Sequence, residues 1–82
     1  MVMINHDVKE RIVELANGNP GATIVCIRLY HTCGSDALKL LSQTNLRGAK
    51  IWKFYLERSG QNGELGPERM LAELRKLIFE SV

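Results

Sequence analysis

Residues 17–33, NGNPGATIVCIRLYHTC, decide the fold because they end one helix and begin the next. The first helix is expected to end at residues 16–17, with Gly18 free to adopt the left-handed conformation that often follows a helix. Asn19 then caps a new helix, and Pro20 fits its first position because the missing N–H would be unpaired there. The residues that follow are apolar around most of a helical circumference. We therefore expect this helix at the centre of the domain, buried on nearly all sides. Its narrow polar edge consists of Arg28, His31 and Thr32.

Apolar residues at three- and four-residue spacing predict further helices around this one. The predicted fold class is all-α, a compact orthogonal bundle of about five short helices. Their ranges are 6–16, 20–33, 35–45, 48–59 and 67–81. Asn5 and Ser35 are expected to cap the first and third helices, and Asn45 to end the third in the left-handed conformation. Residues 60–66, GQNGELG, predict a flexible linker before the last helix, within a single domain that spans residues 1–82.

Length and composition limit the classes of protein to which the chain can belong. Its 82 residues suffice for one domain. No apolar run approaches the ~18 residues that cross a bilayer, and no signal-peptide pattern opens the sequence, so we expect a soluble, cytoplasmic protein. The net charge is +2 and the isoelectric point is 8.7, which is lower than dedicated nucleic-acid-binding domains usually have.

Cysteine and histidine on the central helix are the nearest approach to a metal or catalytic site. Cys26 and Cys33 lie about 10 Å apart along a helix, which is too far for a disulfide, so we expect free thiols. Zinc needs three or four converging ligands, and His31 projects from a different face of the helix than Cys33. Nucleophilic catalysis needs a third group that orients the base and an oxyanion donor, and neither is recognisable. The sequence therefore predicts no metal, no cofactor and no enzymatic activity.

Residues 37–56 allow an alternative function, that of a helix-turn-helix protein that binds DNA. Their apolar residues match the apolar positions of such a motif. Leu41, however, occupies a position where a small residue is usual, and Trp52 falls among the residues that would face the bases. We keep DNA binding as the alternative to the main prediction. The cations that would contact phosphates are Arg47, Lys50, Lys53 and Arg58.

The main prediction is a protein-interaction or accessory module. Tryptophan and tyrosine are enriched at the centres of interfaces, although Trp52 is also well suited to fill the core of a small domain. The last helix carries an apolar seam and a phenylalanine that points away from it, and a homodimer through this helix is one option. The partner is otherwise an unknown protein. The candidate interface residues are Trp52, Tyr55, Leu71, Leu74, Ile78 and Phe79.

Two segments, LANGNPGA at 15–22 and LRGAKIWKFY at 46–55, together resemble small uncharacterised helical proteins of gut bacteriophages and prophages. In those proteins an N-P-G helix start is followed by a G-x-x-I-W-x-x-Y helix and a short amphipathic tail. The linker at 60–66 is longer here than in that group. The resemblance implies a compact helical fold and a phage or prophage genome context, and it implies no activity. The matching positions are Asn19, Pro20, Gly21, Gly48, Ile51, Trp52 and Tyr55.

Overall fold

A computed structural model describes residues 5–59 and 65–80, and these residues form five α-helices. The helices are α1 (His6–Ala16), α2 (Pro20–Cys33), α3 (Ser35–Ser42), α4 (Ala49–Ser59) and α5 (Pro67–Glu80). The described part of the chain contains no strand and measures 33 × 30 × 22 Å along its principal axes. The prediction of a compact all-α bundle is confirmed. No helix within these residues is long and apolar enough to cross a membrane.

The helix α2 lies at the centre, as its apolar circumference predicts, and packs against each of the other four helices. Ala22, Cys26 and Leu29 form one row along it and are almost completely buried. Cys33 continues that row at the end of the helix, where it is half-buried. The domain is therefore organised around one face of α2, and the remaining helices contribute their apolar stripes to the same core.

The starts of α1 and α2 are set by asparagine caps, as predicted. The side-chain oxygen of Asn5 accepts a hydrogen bond from the Val8 N–H at 2.8 Å, and that of Asn19 accepts one from the Ala22 N–H at 2.9 Å. Between the two helices, Asn17 adopts the left-handed conformation with φ 45°, and its N–H donates to the Val13 carbonyl at 3.0 Å. This short reversal makes α1 and α2 a tight helical hairpin.

The two ends of α3 differ from the prediction. Gly34, rather than Ser35, occupies the N-cap position, and no side chain accepts a capping hydrogen bond there. The helix ends at Ser42, and the left-handed cap predicted at Asn45 is wrong, because Asn17 is the one non-glycine residue with positive φ in the part of the chain that the structure describes.

A buried threonine shapes the turn that follows α3. The Thr44 hydroxyl donates to the Leu41 carbonyl at 2.6 Å and accepts from the Leu46 N–H at 3.1 Å. It thereby satisfies backbone groups that a left-handed cap would otherwise satisfy.

Two glycines fix α4 against the α1–α2 hairpin. The Gly48 N–H donates to the Leu15 carbonyl at 2.7 Å, and its φ of 58° favours glycine. At Gly21, a Cβ atom would lie 2.5 Å from Cδ2 of Trp52, so the indole rests directly on the α2 backbone. The same indole stacks on the Tyr55 ring, with 5.5 Å between centroids. Gly21 thus leaves room for the Trp52 ring against α2, and Gly48 brings the start of α4 to the end of α1.

The predicted linker falls largely on residues 60–64, which lie outside the described residues. Leu65, at its end, is buried in the core just before α5 begins. The chain is therefore anchored immediately before the last helix, and α5 packs against α2 and α3.

Candidate protein-binding surface

Two of the six candidate interface residues belong to the core. Leu74 is 0% exposed and Tyr55 is 8% exposed, so neither presents a side chain to a partner of the folded domain. Leu74 is covered because α5 packs its seam against α2 and α3. Trp52 is half-buried between Gly21 and Tyr55, where it joins α4 to α2. For these three residues the structure supports a packing role.

The other three candidates remain at the surface of α5. Leu71 is half-buried, and Ile78 lines a groove of about 270 Å³ together with Leu46 and other residues of the α3–α4 connection. Phe79 is 75% exposed. It follows Arg75 and Lys76, which lie one helical turn before it and are both exposed. The exposed part of α5 is therefore an aromatic ring with cationic neighbours rather than a continuous apolar seam.

The cations predicted to contact DNA have different environments. The Arg47 guanidinium donates to the carbonyls of Ser42, Thr44 and Leu46 at 3.0, 3.1 and 2.7 Å, so it caps the end of α3. The Arg58 guanidinium lies 3.7 Å from the centre of a phenylalanine ring, that of Phe54, and also contacts Glu57.

Lys50 and Lys53 are exposed and face solvent. Of the four cations, these two are available to a phosphate without breaking a contact.

The two helices of the predicted DNA-binding motif are joined by a longer connection than such a motif usually has. The connection between α3 and α4 covers residues 43–48, whereas the turn of such a motif has about three or four residues. The helix α3 packs against α1, α2 and α5, while α4 packs against α2. The two helices thus share α2 as a neighbour, and α3 has further contacts with α1 and α5; DNA binding stays a prediction.

The thiols and imidazoles do not converge on a catalytic or metal site. Cys26 is completely buried, and this burial raises the pKa of its thiol from 9.0 to about 11. The thiol is therefore protonated and shielded at neutral pH. His6 forms an exposed pair with Glu10 at 2.9 Å. Within residues 5–59 and 65–80, no group of three or more histidine, cysteine or acidic residues is placed to hold a metal ion.

The clearest apolar surface lies between α1 and α2, on the outside of the hairpin. We call it the α1–α2 groove; it has a volume of about 270 Å³ and apolar walls. Val13 is 63% exposed on its α1 side, and Ile24, which directly follows the lining residue Thr23 on α2, is 49% exposed. The Thr23 hydroxyl donates to the Asn19 carbonyl at 3.1 Å, so the polar group on the wall is satisfied. The lining residues are Lys9, Ile12, Val13, Thr23 and Ile27.

Helical spacing alone assigns these residues to the core. It predicts that Val13 widens the apolar stripe of α1, and Ile24 and Ile27 belong to a helix expected to be buried on nearly every side. The structure shows that four neighbours do not cover the whole of α2, because α1 leaves the side of Ile24 open. The signal was present in the sequence: α2 has a polar edge of only three residues, which implies more apolar surface than a few short helices can bury.

No known protein family, curated protein or solved structure matches the chain.

Proposed function

We propose that this protein is a non-enzymatic protein-interaction module and that the α1–α2 groove is its binding surface. The observation that carries the proposal is the exposure of Val13 and Ile24 beside a groove with apolar walls. Contiguous apolar surface of this kind commonly marks a site where another molecule binds. The residues first favoured as an interface support the proposal less, because Tyr55 and Leu74 are buried.

The free energy of binding gained by covering the groove follows from the exposed fractions of its side chains. Complete burial of a valine or isoleucine contributes about 1.5–3 kcal/mol, so burying the exposed half of Val13 and Ile24 contributes about 2–3 kcal/mol in total. This corresponds to roughly a 30- to 150-fold increase in affinity. Such a gain suits a modest, specific contact and makes the two residues the expected centre of the interface.

The proposal includes a setting as well as a surface. The resemblance of the segments 15–22 and 46–55 supports a phage or prophage genome context, and we propose that the protein acts in the cytoplasm of the host cell. Its partner is then a protein of the phage or of the host. Homodimerisation through α5 is a separate contact that Phe79 would make, since that ring is 75% exposed.

A pair of variants with equal starting exposure tests this proposal. Ile24 and Leu56 are both 49% exposed, but Ile24 adjoins the groove and Leu56 lies on α4. Each tagged, intact protein is used as bait in a lysate of the cells that naturally make it. The amount of partner recovered is expected to fall at least tenfold with Ile24→Glu and to stay unchanged with Leu56→Glu. Circular dichroism confirms that each variant is folded. Equal loss in both variants, or loss in neither, contradicts the proposal.

Val13→Glu provides a second variant in case Ile24→Glu destabilises the fold. Val13 is the more exposed of the two, at 63%, so a charge there is solvated and perturbs the core less. The same loss of partner is expected.

A further inference from the structure

We infer that the occupant of the α1–α2 groove is an amphipathic helix of a partner protein, with an aliphatic stripe and a carboxylate placed against Lys9. This inference rests on the proposed function and adds the chemistry of the partner. It follows from the shape of the groove, from the hydrogen bonding of its walls and from its charge.

The walls of the groove favour a helix over an extended peptide. Both walls are helices, whose backbone groups are hydrogen-bonded internally along α1 and α2. An extended peptide would find no strand edge there, and its own backbone N–H and C=O groups would face apolar side chains without partners. A helix satisfies its backbone internally and offers only side chains to the groove. Two helices packed side by side also present the ridges and grooves into which a third helix packs.

The size of the groove sets how much of that helix is bound. Its lining extends from Lys9 to Val13 on α1 and from Thr23 to Ile27 on α2. Each of these spans covers about 6 Å of helix axis, slightly more than one turn. The partner helix is therefore expected to insert two or three aliphatic side chains at three- and four-residue spacing, over the buried floor that Ile12 provides.

The charge lies at the edge of the groove, because Lys9 contributes only apolar atoms to the lining, and it favours an acidic helix. Lys9 is the one charged residue among its lining residues, and its ammonium group has no ion pair or hydrogen bond within the part of the chain that the structure describes. The carboxylates of α1 face the other way, where Asp7, Glu10 and Glu14 line a separate cavity next to α3. A carboxylate on the partner complements Lys9, and a lysine at the same position is repelled.

A second copy of this chain fits the groove less well. Groove-to-groove packing around a twofold axis would place no carboxylate opposite Lys9, because the second copy contributes the same lining residues and none of them is acidic. Insertion of Phe79 from another copy would carry charges of both signs towards Lys9, because Arg75, Lys76 and Glu80 lie close to the ring on α5 and Lys76 pairs with Glu73 at 3.4 Å. The first arrangement offers Lys9 no carboxylate and the second offers no net negative charge, whereas an acidic partner helix neutralises it.

A titration of the isotope-labelled full chain with two peptides tests the inference. Both are stapled helices of about 15 residues with the same leucine stripe, and they differ only in flanking glutamates or lysines. The glutamate peptide is expected to shift the amide resonances of Val13, Thr23, Ile24 and Ile27, and to bind about five- to tenfold more tightly than the lysine peptide at low salt. Lys9→Glu is expected to reverse this preference. Lys39, an exposed lysine of α3, provides the matched control: Lys39→Glu is expected to leave the preference for the glutamate peptide unchanged.

Each other outcome overturns the inference in a recognisable way. Equal binding of both peptides in the groove refutes the acidic partner, and shifts confined to α4 and α5, or no shifts at millimolar peptide, refute the helical occupant. Binding to neutral phosphatidylcholine vesicles, abolished by Ile24→Glu, identifies a lipid surface instead, and a doubled mass in light scattering, abolished by the same variant, identifies a second copy. If the peptides fail but Ile24→Glu still loses the cellular partner and Leu56→Glu does not, the proposed function stands and only the helical, acidic occupant is wrong.

Discussion

Gly21→Ala should destabilise the protein, although alanine is the better helix former. The added Cβ would lie 2.5, 2.7 and 2.8 Å from three ring carbons of Trp52, and a rigid indole cannot yield as a flexible side chain does. Overpacking of this kind costs about 1–3 kcal/mol, while replacing a helical glycine by alanine contributes about 0.5–1 kcal/mol. We expect a net loss of about 1–2 kcal/mol in the free energy of unfolding, which lowers Tm by about 5–15 °C for a domain of this size.

The measurement is urea denaturation of a double-mutant cycle with Trp52→Leu. In the leucine background the space above Gly21 opens, so the same Gly21→Ala change should become neutral or slightly stabilising. The coupling energy should then be about 1–2.5 kcal/mol. Gly66→Ala serves as the control because a Cβ there meets no atom of residues 5–59 and 65–80 within 4 Å, and its effect should stay within about 0.5 kcal/mol.

Either of two results would contradict the contact between the Trp52 indole and the α2 backbone. A Gly21→Ala protein at least as stable as the wild type would mean that the indole does not rest on α2. Equal destabilisation with tryptophan and with leucine at position 52 would mean that the cost arises elsewhere.

Three further predictions concern other parts of the molecule. Arg47→Met should lower the free energy of unfolding, measured in urea, by about 1–3 kcal/mol, because three backbone carbonyls lose their hydrogen-bond donor. Lys50→Met, at an exposed site, should change it by less than about 0.5 kcal/mol. Equal effects of the two substitutions would contradict a capping role for Arg47. Stability should fall as pH rises from 9.0 to about 11, by up to about 1.4 kcal/mol per pH unit, because over this range the Cys26 thiol ionises in the unfolded chain and stays protonated in the folded one. Below pH 9.0 the contribution of Cys26 to stability does not change with pH. The Cys26→Ala variant should lack the fall in stability above pH 9.0, and identical profiles of stability against pH for the two proteins would contradict the prediction. The homodimer through α5 requires a doubled mass in light scattering that Phe79→Glu halves, and a monomeric wild type at millimolar concentration rules it out.

The helix starts could be predicted because their causes are local. Asn5 and Asn19 each cap an N–H group three residues ahead, and Pro20 fits the first turn without any tertiary contact. The end of α3 could not be predicted in the same way. It depends on the Arg47 side chain reaching back to carbonyls, and the start of α4 depends on a hydrogen bond from Gly48 to Leu15, far away in sequence.

The candidate site was predicted only in part because periodicity identifies an apolar face but not what covers it. Val13 and Leu74 both follow helical spacing, yet Val13 is 63% exposed and Leu74 is completely buried. The difference arises from neighbours: α5 packs against α2 and α3, whereas the outer side of the α1–α2 hairpin has no helix packed over it within the described residues. Aromatic residue types drew the prediction to Trp52 and Tyr55, whose rings stack on each other and join α4 to α2.

Site-specific photo-crosslinking in the producing cells tests the binding role of the α1–α2 groove most directly. A photoreactive residue is placed at Val13, Ile24 or Leu56 of the intact protein, one position at a time. The account predicts one covalent adduct of the same mass from Val13 and Ile24, and no such adduct from Leu56, whose exposure equals that of Ile24. An adduct of equal yield from Leu56, or none from either groove position, would contradict it.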